Sequence, residues 1–175
     1  MLAAACRSGN ADVVQLLLRA GANVELDPKS EWQDDRYAPL YYAVTGGHAS
    51  VVGLLLAEGA DVNPRPSRYD LFYKPIGIAV SNKDFAVVRL LISAGADVNL
   101  CGREGGRTPL QIACHDGDEE MVDLILSAGA RVNDEPGWLG NSLVVAVCGG
   151  NRSIVKKLQN LGAVSPCQRG KIFLS

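Results

Sequence analysis

The stretch that decides the fold is Gly95-Ala96-Asp97-Val98-Asn99, because near-copies of it return at regular intervals along the chain. The copies begin at glycines spaced 38, 36, 34 and 33 residues apart, namely Gly21, Gly59, Gly95, Gly129 and Gly162. A period of a few tens of residues is the sequence signature of stacked repeats rather than of one sheet or bundle. The sequence therefore predicts an array in which each unit contacts its neighbours.

One unit is clearest in the segment 108–133, which reads TPLQIACHDGDEEMVDLILSAGARVN. Thr108 suits a helix N-cap, and the proline after it suits the first helical position, where its missing N–H has no intrahelical partner. Gly117 is predicted to turn the chain, and Asp118 to cap a second helix that carries an apolar face. Gly129 is predicted to end that helix in the left-handed conformation that glycine adopts most easily.

The same two-helix pattern returns in the other units. It predicts first helices at 2–8, 39–46, 75–82 and 142–149, and second helices at 12–20, 50–58, 86–94 and 153–161. Isolated helices of this length are unstable in water, so packing on neighbouring units must stabilise them. The sequence therefore predicts an all-α chain of antiparallel helix pairs.

These residues resemble the ankyrin repeat family, whose repeats carry a T-P-L-H-x-A start, a G-H turn and a G-A-D-V-N tail. The resemblance extends over essentially the whole chain and implies an ankyrin-repeat solenoid with hairpin-like finger loops between the helix pairs. It divides the chain into an ankyrin repeat domain, 1–164, with repeats at 1–24, 25–63, 64–99, 100–133 and 134–164, and a C-terminal tail, 165–175.

The chain departs from the family pattern at two kinds of position. The histidine of T-P-L-H is replaced in four repeats by Tyr41, Gly77, Gln111 and Val144. Lys83 stands where the other repeats have a turn glycine, so backbone strain or a remodelled turn is expected there.

Both terminal repeats are predicted to be caps, because a terminal unit needs a polar outer face. In the last repeat, Lys157 and Gln159 replace the leucines that the first repeat has at the equivalent positions, Leu16 and Leu18. This replacement is interpreted as the polar outer face of the C-terminal cap.

The repeats differ in length between one tail and the next first helix, where five, three, one and no extra residues stand in chain order. The resemblance identifies these segments as the finger loops, which in ankyrin arrays border a concave face. Six of the ten aromatic residues lie in them. Trp, Tyr and Arg often contribute most of the binding energy at protein interfaces, so the fingers are predicted to bind a partner.

The predicted partner-binding residues lie in the fingers and on first helices. They are Trp32, Asp34, Asp35, Arg36, Tyr37, Tyr41, Arg65, Arg68, Tyr69, Phe72, Tyr73, Arg103, Arg107, His115, Asp116 and Trp138. Two alternatives stay open: Phe72 and Trp138 pack on neighbouring fingers, and the finger charges form only a solvated surface. One of Tyr41 and Tyr42 is expected to face the core and the other the concave groove. The ends of the first helices, mostly small residues, are expected to form the groove floor.

Composition argues against several other functions. The net charge of −2 removes the attraction for phosphate backbones that a basic surface supplies, so no nucleic acid is expected. Five cysteines form no C-x-x-C pair and two histidines are scattered, which argues against a metal site and favours reduced thiols in the cytoplasm or nucleus. No apolar run approaches the roughly 18 residues of a membrane helix, so no membrane is expected.

Catalysis is not expected either. His115 and Asp116 are adjacent, and adjacent helical side chains point about 100 degrees apart. No cofactor motif occurs. The sequence therefore predicts a monomeric, non-catalytic module that binds another protein as a scaffold, adaptor or regulator. The alternative is a targeting segment of a larger multidomain enzyme or effector protein.

Overall fold

The computed structural model describes residues 1–25, 38–64, 74–101, 106–134 and 140–164. Within these ranges the chain forms ten α-helices and no β-strand. In chain order they are α1 Leu2–Ser8, α2 Ala11–Arg19, α3 Pro39–Thr45, α4 Ala49–Ala57, α5 Pro75–Ser81, α6 Phe85–Ser93, α7 Pro109–Asp116, α8 Glu119–Ser127, α9 Ser142–Cys148 and α10 Arg152–Asn160.

These helices form five pairs, and each predicted repeat encloses one pair. The predicted helix ends differ from the observed ones by no more than one residue, because the last predicted residue is in most cases the C-cap. The all-α repeat solenoid is thereby confirmed. The repeat limits themselves remain a prediction.

The chain divides into two compact units, Met1–Asp97 and Val98–Ser175. In the first unit α1 packs on α3 and α3 on α5, while α2 packs on α4 and α4 on α6. In the second unit α7 packs on α9, and α8 packs on α10. Within each unit, therefore, first helices stack on first helices and second helices on second helices, as in a repeat array.

Local sequence signals set the ends of α7 and α8. Thr108 and Gln111 form a capping box, in which each side chain accepts a hydrogen bond from the other residue's backbone N–H. Gly117 ends α7 with a φ of 70°, and the carboxylate of Asp118 accepts from the backbone N–H of Met121 to cap α8. The predicted caps and turn of this repeat are confirmed.

The second helices bury one apolar face. In α4 the side chains of Val51, Val52 and Leu55 are fully buried, and α6 buries Val87, Val88 and Leu91 at the same spacing. Spacings of one and four residues place such side chains on one face of a helix. Burying each contributes about 1.5–3 kcal/mol, which is how helices of nine residues become stable in this chain.

Lys83 occupies the turn between α5 and α6 with a φ of 56°, and it is the one non-glycine residue with positive φ in the described ranges. The four equivalent turn residues are glycines with φ between 68° and 72°: Gly9, Gly47, Gly117 and Gly150. A side chain in this left-handed conformation costs about 1–2 kcal/mol. The predicted strain at Lys83 is confirmed.

The asparagine at the end of each G-A-D-V-N tail joins one repeat to the next. The amide of Asn63 donates to the carbonyl of Gly95 (2.9 Å), and its oxygen accepts from the backbone N–H of Asp97 (2.9 Å). Asn99 makes the equivalent bonds to Gly129 and Arg131. The repeat stack is thus held by side-chain bonds to backbone as well as by apolar packing.

The predicted end caps are wrong on two points. In α2 the side chains of Val13 and Leu16 are 40% and 65% exposed, so the first repeat lacks a polar outer face. Lys157 pairs with Asp123 of α8, so its ammonium group faces back into the stack, whereas Gln159 is exposed as predicted. Sequence position alone did not separate the two faces of the terminal helices.

Candidate functional site

Of the predicted partner-binding residues, the structure describes four: Tyr41, Arg107, His115 and Asp116. The others lie outside the described residues, namely Trp32, Asp34, Asp35, Arg36, Tyr37, Arg65, Arg68, Tyr69, Phe72, Tyr73, Arg103 and Trp138. Binding through the finger loops therefore stays a prediction. The structure describes the residues on either side of each finger.

The two ends of the second finger are joined by a buried lysine. Lys74 precedes α5 as its N-cap residue, and its ammonium group donates to the carbonyl of Pro64 at 2.6 Å. Its side chain is only 5% exposed. A buried charge must be well hydrogen-bonded to be tolerated, so this contact holds the two ends of residues 65–73 together.

Sequence reasoning did not identify this role of Lys74. The available signal was its position, because the residue before a first helix is also polar and buried in the next two repeats, as Thr108 and Asn141. The amide of Asn141 donates to the carbonyl of Val164 at 2.6 Å. This position therefore anchors loops to helix pairs.

Tyr41 and Tyr42 do not divide between core and groove as predicted. Both are half-buried, and their rings meet edge to face with centroids 5.6 Å apart and planes at 81°. At the position equivalent to Tyr41, Gln111 is buried and its amide donates to the carbonyl of Gly140 at 2.6 Å. The position of the family histidine therefore carries a half-buried side chain in one repeat and a buried side chain that bonds within the stack in another.

The ends of the first helices are exposed, as the predicted groove floor requires. Those in the first compact unit are Arg7, Ser8, Thr45, Gly46, Ser81 and Asn82, and those in the second are His115, Asp116, Cys148 and Gly149. Most carry short side chains, so a partner can approach the backbone of each helix end closely.

His115 and Asp116 contact each other directly, with Nδ1 3.0 Å from the nearer carboxylate oxygen. The expectation that these side chains diverge is therefore wrong. Half of the His115 side chain is exposed. The imidazole and the carboxylate therefore lie side by side on one small surface. Arg107 is half-buried just before α7.

The buried cysteines have poorly reactive thiols. Burial raises the pKa of the Cys6 thiol from 9.0 to about 11 and that of the Cys114 thiol to about 12. Both lie on first helices beneath neighbouring side chains, whereas Cys148 is exposed. Because the thiolate is the reactive form, Cys6 and Cys114 act as small apolar core residues.

Neither a metal site nor a membrane span is found in the described ranges. No cluster of three or more His, Cys, Asp or Glu side chains could hold an ion there. None of the helices in those ranges has the length and apolar character needed to cross a bilayer.

Comparison with known proteins agrees with the repeat architecture. The family model for ankyrin repeats (3 copies) matches residues 1–66 and 76–168. A segment of 71 residues, 39% of this chain, is 46% identical to the human "Ankyrin repeat and KH domain-containing protein 1". That segment spans 3% of the human protein's length. Since the family model covers more than half of the sequence, the chain belongs to the ankyrin repeat family.

Proposed function

We propose that this chain binds a partner protein through its finger loops and the exposed ends of its first helices, and that it acts as a scaffold, adaptor or regulator without catalysing a reaction. Ankyrin repeats are protein-interaction modules, so the class follows from the family. The finer proposal concerns the surface that is used.

The observation that carries the proposal is the concentration of aromatic side chains in segments whose length varies. Six of the ten aromatic residues, including Trp32 and Tyr69, fall in the fingers. Aromatic side chains bury a large area on binding and retain a polar group for hydrogen bonding. The Lys74–Pro64 contact supports the same proposal, because a loop whose ends are fixed loses less conformational entropy when it binds.

The charges of the fingers indicate what kind of surface the partner has. In chain order the fingers are acidic, basic, basic and acidic, with Asp34 and Asp35 in the first and Arg65 and Arg68 in the second. A partner with a mixed-charge surface would complement this order, and a polyanion would not. The net charge of −2 supports a protein partner over nucleic acid.

A double substitution tests the surface. After a partner has been identified by affinity capture, Trp32→Ala with Tyr69→Ala is expected to weaken its Kd at least about tenfold, as the loss of interface aromatic residues does. Arg89→Ala with Glu120→Ala, on exposed positions of second helices, is the matched control and should change the Kd less than about twofold. Equal Kd values for the wild type and the aromatic variant would refute the proposed site.

A second candidate function is that these residues are the targeting segment of a larger multidomain protein. The observation that favours it is the similarity to 3% of a human protein whose name includes a KH domain in addition to ankyrin repeats. Sequencing the complete transcript distinguishes the two. A catalytic domain in the same reading frame would favour the second candidate.

Both proposals include an intracellular location. The free thiols support it, namely those of Cys6, Cys101, Cys114 and Cys148.

A further inference from the structure

The turn between α5 and α6 places a lysine, Lys83, in a backbone conformation that glycine adopts at the equivalent turns. Its φ is 56°, which strains a residue with a side chain. The side chain is exposed, and it has no hydrogen bond or ion pair with any residue in the described ranges. Backbone strain of this kind is found where a residue takes part in binding. Lys83 is therefore a candidate binding residue, which the sequence alone did not single out.

Lys83 belongs to a surface at the C-terminal ends of α1, α3 and α5, in the first compact unit. Six exposed residues define this helix-end surface: Arg7, Thr45, Gly46, Ser81, Asn82 and Lys83. The position of Arg7 is exposed in all five repeats, so its exposure is a property of the repeat. The nearby carboxylate of Asp84 accepts from the backbone N–H of Val87 to cap α6, and it lies against Gly47, where an added Cβ atom would meet Oδ2 at 3.1 Å. The helix-end surface thus has two cationic residues and no acidic one.

Side chains of the following repeat cover the negative ends of α1 and α3. The last carbonyl groups of a helix carry partial negative charge, which repels an anion. The imidazole Nε2 of His48 lies 3.3 Å from the carbonyl oxygen of Arg7. The amide of Asn82 donates to the carbonyl of Thr45, also at 3.3 Å. An anion that approaches the helix-end surface therefore meets carbonyl groups that already have partners.

Apolar side chains border the helix-end surface. Tyr42 and Ile78 are half-buried, and each stands three residues before an exposed polar residue of that surface. This spacing places them on the same helix face as the polar residues. From Ile78 to Asn82 at the end of α5 the helix rises about 6 Å. Two residues of an extended chain span a similar distance and point to the same side, so an apolar and an acidic side chain two positions apart match the surface.

We propose that the helix-end surface binds an extended acidic segment of the partner protein. Lys83 pairs with a carboxylate of that segment, and Tyr42 and Ile78 contact an apolar side chain two positions away. Charge complementarity favours such a segment over a basic one, because Arg7 adds a second positive charge to the same surface. The segment belongs to the partner of the proposed function, on which its existence rests, and it supplies the negative part of a mixed-charge surface.

A library of random peptides displayed on phage tests this chemistry without an identified partner. Peptides of about twelve residues are long enough to cross three packed helices when extended. Selection on the wild-type chain, after depletion on the Lys83→Gly variant, should enrich sequences that carry Asp or Glu two positions from an apolar residue. Enriched sequences without a carboxylate would overturn the proposal, as would the absence of any enrichment after depletion.

Fluorescence anisotropy with a synthetic peptide from that selection measures the contribution of Lys83. Lys83→Gly and Lys83→Asn should each weaken the Kd about three- to tenfold, as the loss of one exposed charge-assisted hydrogen bond does. Asparagine tolerates the left-handed conformation, so the second variant keeps the turn. Lys83→Arg keeps the charge and should stay within about twofold of the wild type. Arg89→Ala removes the same charge from the exposed surface of α6 and is the matched control; a weakening equal to that of Lys83→Gly would overturn the proposal.

Stability and RNA binding separate this role of Lys83 from two others. Lys83→Gly should weaken peptide binding while it raises the urea midpoint of unfolding, and a higher midpoint with unchanged binding would overturn the proposal. A single-stranded RNA of about twelve nucleotides that binds more tightly than the peptide, and less tightly to Lys83→Gly, would overturn it by assigning the cations to nucleic acid. A captured partner whose Kd responds to Trp32→Ala with Tyr69→Ala but not to Lys83→Gly would overturn the acidic segment and leave binding through the fingers intact.

Discussion

Replacing Lys83 by glycine is expected to stabilise the protein, although it removes a whole side chain. Lys83 has a φ of 56° in a turn where the equivalent residues are glycines, and its backbone N–H still donates to the carbonyl of Val80 at 2.9 Å. The side chain is exposed, so little packing is lost. The substitution relieves about 1–2 kcal/mol of left-handed strain. It adds about 0.5–1 kcal/mol of unfolded-chain entropy. The net gain is roughly 0.5–1 kcal/mol.

The reverse substitution, Gly150→Lys, is the matched control. Gly150 has a φ of 72°, and a Cβ atom added there would meet no other atom within 4 Å. The new side chain is therefore strained by the backbone alone, and the free energy of unfolding should fall by roughly 0.5–1 kcal/mol. The two changes should be opposite in sign and similar in size.

Urea unfolding followed by far-UV circular dichroism measures both variants against the wild type. The midpoint should rise for Lys83→Gly and fall for Gly150→Lys, with an unchanged m-value if only stability has changed. In a thermal scan, roughly 1 kcal/mol corresponds to about 2–4 °C in a protein of this size. A lower midpoint for Lys83→Gly would refute the reasoning, because it would mean that the lysine side chain stabilises the turn by more than the strain it carries.

Two further predictions concern the links between repeats and the buried thiols. Asn99→Ala removes the bonds to Gly129 and Arg131 and should lower the free energy of unfolding by about 1–2 kcal/mol in the same urea assay; no change would mean that water replaces both bonds. Because burial raises the pKa of Cys6 to about 11 and of Cys114 to about 12 from 9.0, their contribution to stability is complete below pH 9. It is lost as the pH rises from 9 toward those values, since the unfolded chain alone releases the protons. Cys114→Ala should flatten this alkaline loss, and a thiol reagent at pH 8 that labels Cys114 as fast as Cys148 would contradict its burial.

The sequence predicts the helix pairs closely because their signals are local. Thr108, Gly117 and Asp118 act on backbone groups within three to five residues of themselves, so their roles follow from spacing alone. The left-handed turn at Lys83 was predictable for the same reason, since the other repeats place glycine there. Comparison of the five aligned repeats also shows which residue is unusual at a given position.

What the sequence could not supply depends on residues far apart in the chain. The burial of Lys74 depends on the carbonyl of Pro64, ten residues earlier, and the direction of Lys157 depends on Asp123 in the preceding repeat. The side chain of Asn63 bonds to backbone groups in the turn of the next repeat, more than 30 residues along the chain. In each case the side chain has several local options, and only the stacking of helix pairs selects one.

The candidate site likewise has one feature that the sequence predicts and one that it does not. The exposure of the first-helix ends follows from helix periodicity, and it was predicted for His115 and Asp116. The contact between those two side chains was not, because it depends on rotamers rather than on position along the helix.

Binding through the fingers is tested most directly by hydrogen–deuterium exchange of the chain alone and in complex with its captured partner. Amides in residues 26–37 and 65–73, and at the C-terminal ends of α3, α5 and α7, are expected to exchange more slowly in the complex. Protection confined to the exposed surfaces of α4, α6 and α8, with unchanged exchange in both fingers, would contradict the account.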